Sequence, residues 1–339
     1  MVDFRKRLAS ERRNQPIDPV EIYSALDRES DKGELRRAQE LVLKDWHASW
    51  RLKRDVIVKL HTGQGKTLIG LLILQAKLNE QAGPALYLCP DNYLAEQTAQ
   101  QAKQFGFNCE TVAGGDELPG RFLDSKSILI TSVQKVFNGL TKFGLNSNSV
   151  KVGAIAIDDV HACIDSIRDA CSIKLDAGTQ PYADLVALFG PSLETQGQGT
   201  FADLQNGEYD ALLPVPYWDW IDRVGETARI LSGHASSKAV KFAWPLVKDM
   251  LAECDCVVSG TSLEIVPRLP PLAQFGTYDQ AKHRVFMSAT VSDDSFLIKG
   301  MGIDSAVVRS PLTISEKWSG EKMVLLPSLI DSALDRGEI

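Results

Sequence analysis

His61-Thr62-Gly63-Gln64-Gly65-Lys66-Thr67 has the composition of a loop that holds phosphate. Its glycines let backbone amides approach phosphate oxygens with no Cβ in the way, and a helix starting at the loop adds the partial positive charge of its N-terminus. Lys66 can then reach the β- and γ-phosphates of a nucleotide while the Thr67 hydroxyl ligates Mg²⁺. The usual motif would want glycine where this chain has Leu60, so this is the shorter Thr-Gly-x-Gly-Lys-Thr form. A second group follows at Asp158-Asp159-Val160-His161. A carboxylate at the C-terminal end of a strand beside a phosphate loop is placed to hold Mg²⁺ through water, and a second acid next to it can orient an attacking water. Acid pairs also occur as plain turn residues; the phosphate loop upstream selects the chemical reading.

These residues need a frame, and the chain supplies one. Apolar runs at 55–60, 85–89, 128–131, 154–158 and 284–288 are nearly continuous, as expected of strands covered on both faces of a parallel sheet. Helical patterns lie between them at about 66–80, 92–105 and 132–139, and this alternation predicts a doubly wound α/β domain. The texture changes after residue 158. Residues 189–213, rich in Gly, Gln and acids, read as a loop, and 216–253 as two or three helices. Residues 256–266 read as a hairpin turning at Gly260. The expected organisation is therefore an N-terminal helical extension (1–33), an α/β domain built from 34–164 and 282–330, and a mainly helical insertion over 165–281. There is no internal repeat and no low-complexity tail.

Bulk properties narrow the class. A chain of 339 residues with 44% hydrophobic and 24% charged residues is an ordinary globular composition, long enough for two domains or one large domain with an insertion. No apolar stretch approaches the roughly 18 residues that span a bilayer, and the first residues lack the apolar core of a secretion signal. Six cysteines without framework spacing suit reduced thiols, so a cytoplasmic location and no membrane partner are expected. Net charge is −7. Residues 1–60 carry 14 basic against 11 acidic side chains, and 151–282 carry 10 against 18, so any nucleic-acid contact must come from local loops.

Three motifs now carry a family resemblance. Thr62-Gly63-Gln64-Gly65-Lys66-Thr67, Asp158-Asp159-Val160-His161 and Ser288-Ala289-Thr290 resemble, in order and strand context, motifs I, II and III of superfamily 2 helicases of the DEAD/DEAH-box type. Pro90-Asp91-Asn92-Tyr93-Leu94-Ala95-Glu96-Gln97 is similar to motif Ia and Ile128-Leu129-Ile130-Thr131-Ser132 to motif Ib. Gln39 stands where many relatives place an adenine-reading glutamine. The resemblance implies a RecA-like fold using ATP and Mg²⁺. Gln39, Thr62, Gly63, Gln64, Gly65, Lys66 and Thr67 would hold the nucleotide, and Thr67 and Asp158 the metal. Lys66 and Asp159 would act in catalysis, and His161, Ser288 and Thr290 would couple hydrolysis to strand movement. Pro90, Gln97, Thr131 and Ser132 would meet single- or double-stranded nucleic acid, DNA ahead of RNA. One departure matters: the family's second acid is Glu, and Asp159 is a methylene shorter, on the order of 1.5 Å of reach.

The segment Val285-Phe286-Met287-Ser288-Ala289-Thr290-Val291-Ser292, with Phe296 and Gly300-Met301-Gly302, is similar to the region around motif III in DNA-repair helicases that carry an arch domain between motifs II and III. Many of those bind an iron–sulfur cluster through four cysteines before motif II. Only Cys89 and Cys109 lie in that interval here, so no cluster is expected.

The expected activity is that of an ATP-dependent helicase or translocase motor domain. A Gln-x-x-Gly-Arg-x-x-Arg segment that would supply arginine fingers is not found, so a second RecA-like domain is expected in cis or trans, and the chain alone is expected to hydrolyse ATP weakly. The alternatives are an ATP-binding regulatory or interaction module with negligible turnover, or the motor subunit of a restriction or phage-defence complex. Cys254-Asp255-Cys256 reads as a strand start rather than half a metal site. Trp218, Trp220 and Trp244 read as helix core, and Arg5-Lys6-Arg7 with Arg12-Arg13 as a solvated helical face.

Overall fold

The computed structural model describes residues 15–289 and 294–314. In chain order, helices α1 (Pro19–Ala25) and α2 (Arg37–Asp45) precede strand β1 (Asp55–Lys59), and α2 runs on into a π-helical turn at Trp46–Trp50. Helix α3 (Lys66–Asn79), β2 (Ala85–Cys89), α4 (Asn92–Gln104), β3 (Cys109–Glu110), β4 (Ile128–Ser132), β5 (Ala154–Ile157) and α5 (Val160–Ala170) follow. Next come β6 (Ile173–Asp176), α6 (Gln180–Gln196), α7 (Gln198–Gln205), β7 (Leu212–Pro214), α8 (Tyr217–Asp222), α9 (Val224–Gly233), β8 (Cys254–Ser259) and β9 (Ser262–Pro267). Strand β10 (His283–Ser288) then leads to α10 (Asp294–Met301) and α11 (Ser305–Arg309).

Six parallel strands form the main sheet in the order β1-β10-β5-β2-β4-β3. All five predicted strands are present, and the sequence reading missed only the short edge strand β3. Strand β10 lies between β1 and β5, with Asp55 opposite Arg284 and Ala154 opposite His283. Helices α1 to α4 cover one face, sharing a core with Val56, Val58, Tyr87 and Met287. Helix α3 is apolar nearly all round because it is buried between the sheet and α1 and α2. Gly70 lets it sit this close: a Cβ there would stand 2.8 Å from Met287 Cε and 2.9 Å from Tyr87 Cε2.

The other face carries α5 and the chain between β5 and β10. That segment is mainly helical and also contains a four-stranded antiparallel sheet in the order β6-β9-β8-β7, of which only the β8–β9 hairpin was legible. Residues 189–213, read as a loop, are largely helical in α6 and α7. Leu185, Phe189 and Leu193 recur every four residues and bury one face, with Phe201 and Leu204 closing it, so apolar spacing outweighed a loop-like composition. The hydrophobic core here is continuous, running from Leu86, Ile155 and Ile157 in the main sheet through Ile164 to Leu263 and Ile265 in the second.

Trp220 is buried, stacked on Phe189 with centroids 5.6 Å apart, and donates Nε1–H to the Leu251 carbonyl at 2.7 Å. Trp218, expected in the core, is instead exposed beside Tyr217. Its helix α8 has only six residues, and one face of so short an element meets the core. Cys254 and Cys256 are buried at the start of β8. Among the described residues no helix is long and apolar enough to cross a membrane.

Candidate nucleotide site

Strand β1, the loop and α3 form the strand–turn–helix that a phosphate loop requires. Gly63 and Gly65 take φ of 84° and 75°, in the left-handed region that favours glycine. Gly65 caps α3, so the helix starts at Lys66 and directs its free amides into the loop. Within the loop, the Gln64 side chain accepts the His61 amide at 3.1 Å, and Lys66 Nζ donates to the Leu60 carbonyl at 3.2 Å.

Two residues outside the loop hold its backbone. Arg36 Nη1 donates to the Gly63 carbonyl at 2.6 Å, and Gln39 Nε2 to the Gly65 carbonyl at 3.3 Å. Gln39 also accepts the Arg36 amide at 3.0 Å, and the side chain is buried. Gln39 thus grips the phosphate loop. A Cβ at Gly65 would collide with its amide nitrogen.

The acid pair lies across the same cleft. Asp158 is partly buried, with Oδ1 accepting the Asp159 amide at 3.0 Å and Oδ2 accepting the Tyr87 hydroxyl at 2.8 Å. Burial pushes its carboxyl above the usual range, while the Tyr87 and Asp159 hydrogen bonds and the charge of Lys66 pull the other way. Asp159 is exposed and adopts φ 42°, ψ 67°, a left-handed conformation at the N-cap of α5. Asx residues tolerate that region better than other non-glycine residues, which suits Asp at this position.

His161, on the first turn of α5, places Nδ1 3.0 Å from Ser288 Oγ at the end of β10. The Ser288 carbonyl accepts the Leu60 amide at 3.0 Å. Lys66, Leu60, Ser288 and His161 are therefore consecutive members of one hydrogen-bonded series. Thr290, the third expected coupling residue, lies outside the described residues, and so does the side chain of Phe296.

A cleft of about 670 Å³ gathers Thr62, Gly63, Gly65, Lys66 and Thr67 with Asp158, Asp159 and Gln39. That lies within the size range of small-molecule sites. Pro90 and Gln97 lie at the edge of the same cleft. Thr131 and Ser132 are both buried at the end of β4, and Ser132 Oγ donates to Asn92 Oδ1 at 2.9 Å. Their strand is covered on both faces, so their side chains reach no outer surface. Tyr87 and Arg36 were not anticipated. A tyrosine inside an apolar strand reads as core, and an arginine before a helix carries no loop-binding signal.

Residues 32–178 match the family model described as the type III restriction enzyme, res subunit. Over 110 residues, 32% of this chain, the sequence is 29% identical to the ATP-dependent DNA helicase Hel308 of Pyrococcus abyssi, covering 15% of that protein. Over 112 residues, again 32% of this chain, it is 26% identical to the Hel308 helicase of Thermococcus kodakarensis, covering 10% of it. The matched region thus spans well under a fifth of either relative's length. Among solved structures, Xpd4 of S. tokodaii aligns with a TM-score of 0.50 at 14% identity, over 78% of this chain and 60% of that one. The six-stranded parallel sheet and the likeness to Xpd4 show an α/β RecA-like fold, and the region that carries the loop and the acid pair is similar in sequence to the restriction-enzyme and Hel308 helicase proteins named above.

Proposed function

We propose that this domain binds and hydrolyses Mg²⁺-ATP as the motor of a nucleic-acid helicase or translocase. The observation that carries the reading is the single cleft in which the phosphate loop, the acid pair and Gln39 face one another. The donor set suits the ligands. Loop amides and Lys66 suit phosphate, while the Thr67 hydroxyl and the Asp158 carboxylate are hard oxygen donors of the kind Mg²⁺ prefers. Mg²⁺ would supply neutralisation of the phosphate charge. Within the chain, Lys66 would leave the Leu60 carbonyl for the β- and γ-phosphates, and Asp159 would orient the attacking water.

The Lys66–Leu60–Ser288–His161 series supports the coupling role, because it joins the phosphate loop to two strand ends. The relatives' names specify DNA, so DNA is the proposed polymer. The exposed Asn92, anchored by Ser132, and Gln97 are the side chains that would meet it. A second RecA-like domain, in cis or in trans, would complete the nucleotide cleft and supply arginine to the transferred phosphoryl, worth about 10³–10⁵ in rate. The restriction-subunit match favours a second reading, the motor of a restriction or defence complex, which would use the same site.

The experiment is binding of a fluorescent ATP analogue, followed by steady-state ATPase assays with and without single-stranded DNA and RNA. Lys66→Ala should weaken binding at least tenfold, because a charge-assisted contact to phosphate is lost. Unchanged binding would refute the site. Nucleotide binding with no turnover in any polymer, even with a second motor domain present, would leave a nucleotide-holding module and overturn the motor.

A further inference from the structure

The buried hydroxyl of Tyr87 holds one of the side chains proposed for the metal. Tyr87 sits mid-strand in β2 and is fully buried, and Gly70 of α3 packs against its ring. Its hydroxyl donates to Asp158 Oδ2 at 2.8 Å. A phenol has one proton to give, and here the carboxylate takes it. Asp158 is held at both oxygens, by Tyr87 at one and by the Asp159 amide at the other.

Resting on the Mg²⁺-ATP reading above, we propose that Tyr87 is a positioning residue that orients the Asp158 carboxylate for Mg²⁺. It touches neither nucleotide nor metal and acts through the side chain that would hold the metal. Phenylalanine would keep the ring packing against Gly70 and remove only this hydrogen bond, leaving Asp158 held by the Asp159 amide alone and free to rotate.

The test is a Mg²⁺ titration of fluorescent ATP-analogue binding by the full chain, comparing wild type with Tyr87→Phe. In EDTA the two should bind alike, because loop amides and Lys66 are unchanged. The Mg²⁺ concentration giving half the metal-dependent enhancement should rise about tenfold in Tyr87→Phe, the effect of losing a hydrogen bond to a charged group. In an Asp158→Asn background the same substitution should add little. A wild-type Mg²⁺ response in folded Tyr87→Phe, or an equal loss with and without Mg²⁺, would overturn the positioning role. Should Tyr87→Phe fail to fold, 3-fluorotyrosine at position 87 gives the reading by ¹⁹F resonance. The signal should shift when Mg²⁺ joins the nucleotide-bound chain and stay still when nucleotide is added in EDTA, and no response to Mg²⁺ overturns the proposal. Absence of Lys66-dependent binding in wild type would instead remove the nucleotide reading, and this inference with it.

Discussion

Arg284 and Asp55 face each other as register partners across β10 and β1, joined by Nε to Oδ1 at 2.6 Å and Nη2 to Oδ2 at 2.8 Å. The guanidinium is almost fully buried and lies 4.4 Å from the Tyr278 ring centroid. The pair ties the strand that returns after the long excursion to the strand that leads into the phosphate loop. Its two-pronged geometry fits only one register, so it specifies where β10 docks.

Breaking that pair should cost far more than replacing it. Asp55→Ala leaves a buried guanidinium without its counter-charge and should lower unfolding free energy by about 3 kcal/mol in urea titration. The double replacement Asp55→Leu with Arg284→Met should cost less than Asp55→Ala alone. A loss near zero for Asp55→Ala would mean that the pair contributes little to docking β10.

His283 should make stability depend on pH. Its Nδ1 lies 2.6 Å from the Lys53 carbonyl and so carries the proton, while Nε2 accepts the Trp46 indole N–H at 3.1 Å. Burial, then the nearby charge of Lys77, pushes its pKa down to about 4. The unfolded chain takes up this proton near pH 6.5, whereas the folded chain refuses it until about pH 4. The contribution is therefore fully present above about pH 6.5 and lost progressively down to pH 4, on the order of 3 kcal/mol in all. Urea unfolding of wild type and His283→Gln at pH 7 and pH 4.5 checks this. The variant should lose distinctly less stability over that interval.

Asp159 should trade stability for activity. A non-glycine residue in the left-handed region carries strain, so Asp159→Gly should raise unfolding free energy by about 1 kcal/mol. ATP hydrolysis should fall by about 10² or more, since the water-orienting acid is gone. Asp159→Glu restores the longer side chain but suits this backbone less well, and should destabilise slightly. Paired thermal melts and single-turnover hydrolysis read both effects. A Gly variant that is less stable would show that the carboxylate, not the strain, governs this turn.

The His161–Ser288 contact should be read out in stimulated turnover. Ser288→Ala removes one partly buried hydrogen bond, worth about 1 kcal/mol, and should lower DNA-stimulated ATPase about fivefold relative to the unstimulated rate. The assay needs the second motor domain present. Equal reductions in both rates would assign the pair to stability instead of coupling.

The parts of this protein that are local in sequence were legible in it. The glycine-rich turn between β1 and α3, the acid pair and the five long strands are contiguous. A parallel strand covered on both faces announces itself as an unbroken apolar run, as Ala85–Cys89 and Ala154–Ile157 do. The β8–β9 hairpin was legible for the same reason, since its two strands are joined by two residues. Composition misled at α6, where glycines and glutamines hid the Leu185–Phe189–Leu193 stripe.

What the tertiary structure decided are relationships between residues that no local pattern connects. Tyr87 and Asp158 are 71 positions apart, Trp46 and His283 are 237 apart, and Asp55 and Arg284 are 229 apart. Each pair meets only because β10 enters between β1 and β5 and because β2 adjoins β5. The choice of strand neighbours is a global minimum over burial and hydrogen bonding, and it turns an apparent core tyrosine into a partner of Asp158. The residues that could do chemistry were written along the chain; which side chains orient them was fixed by the sheet order.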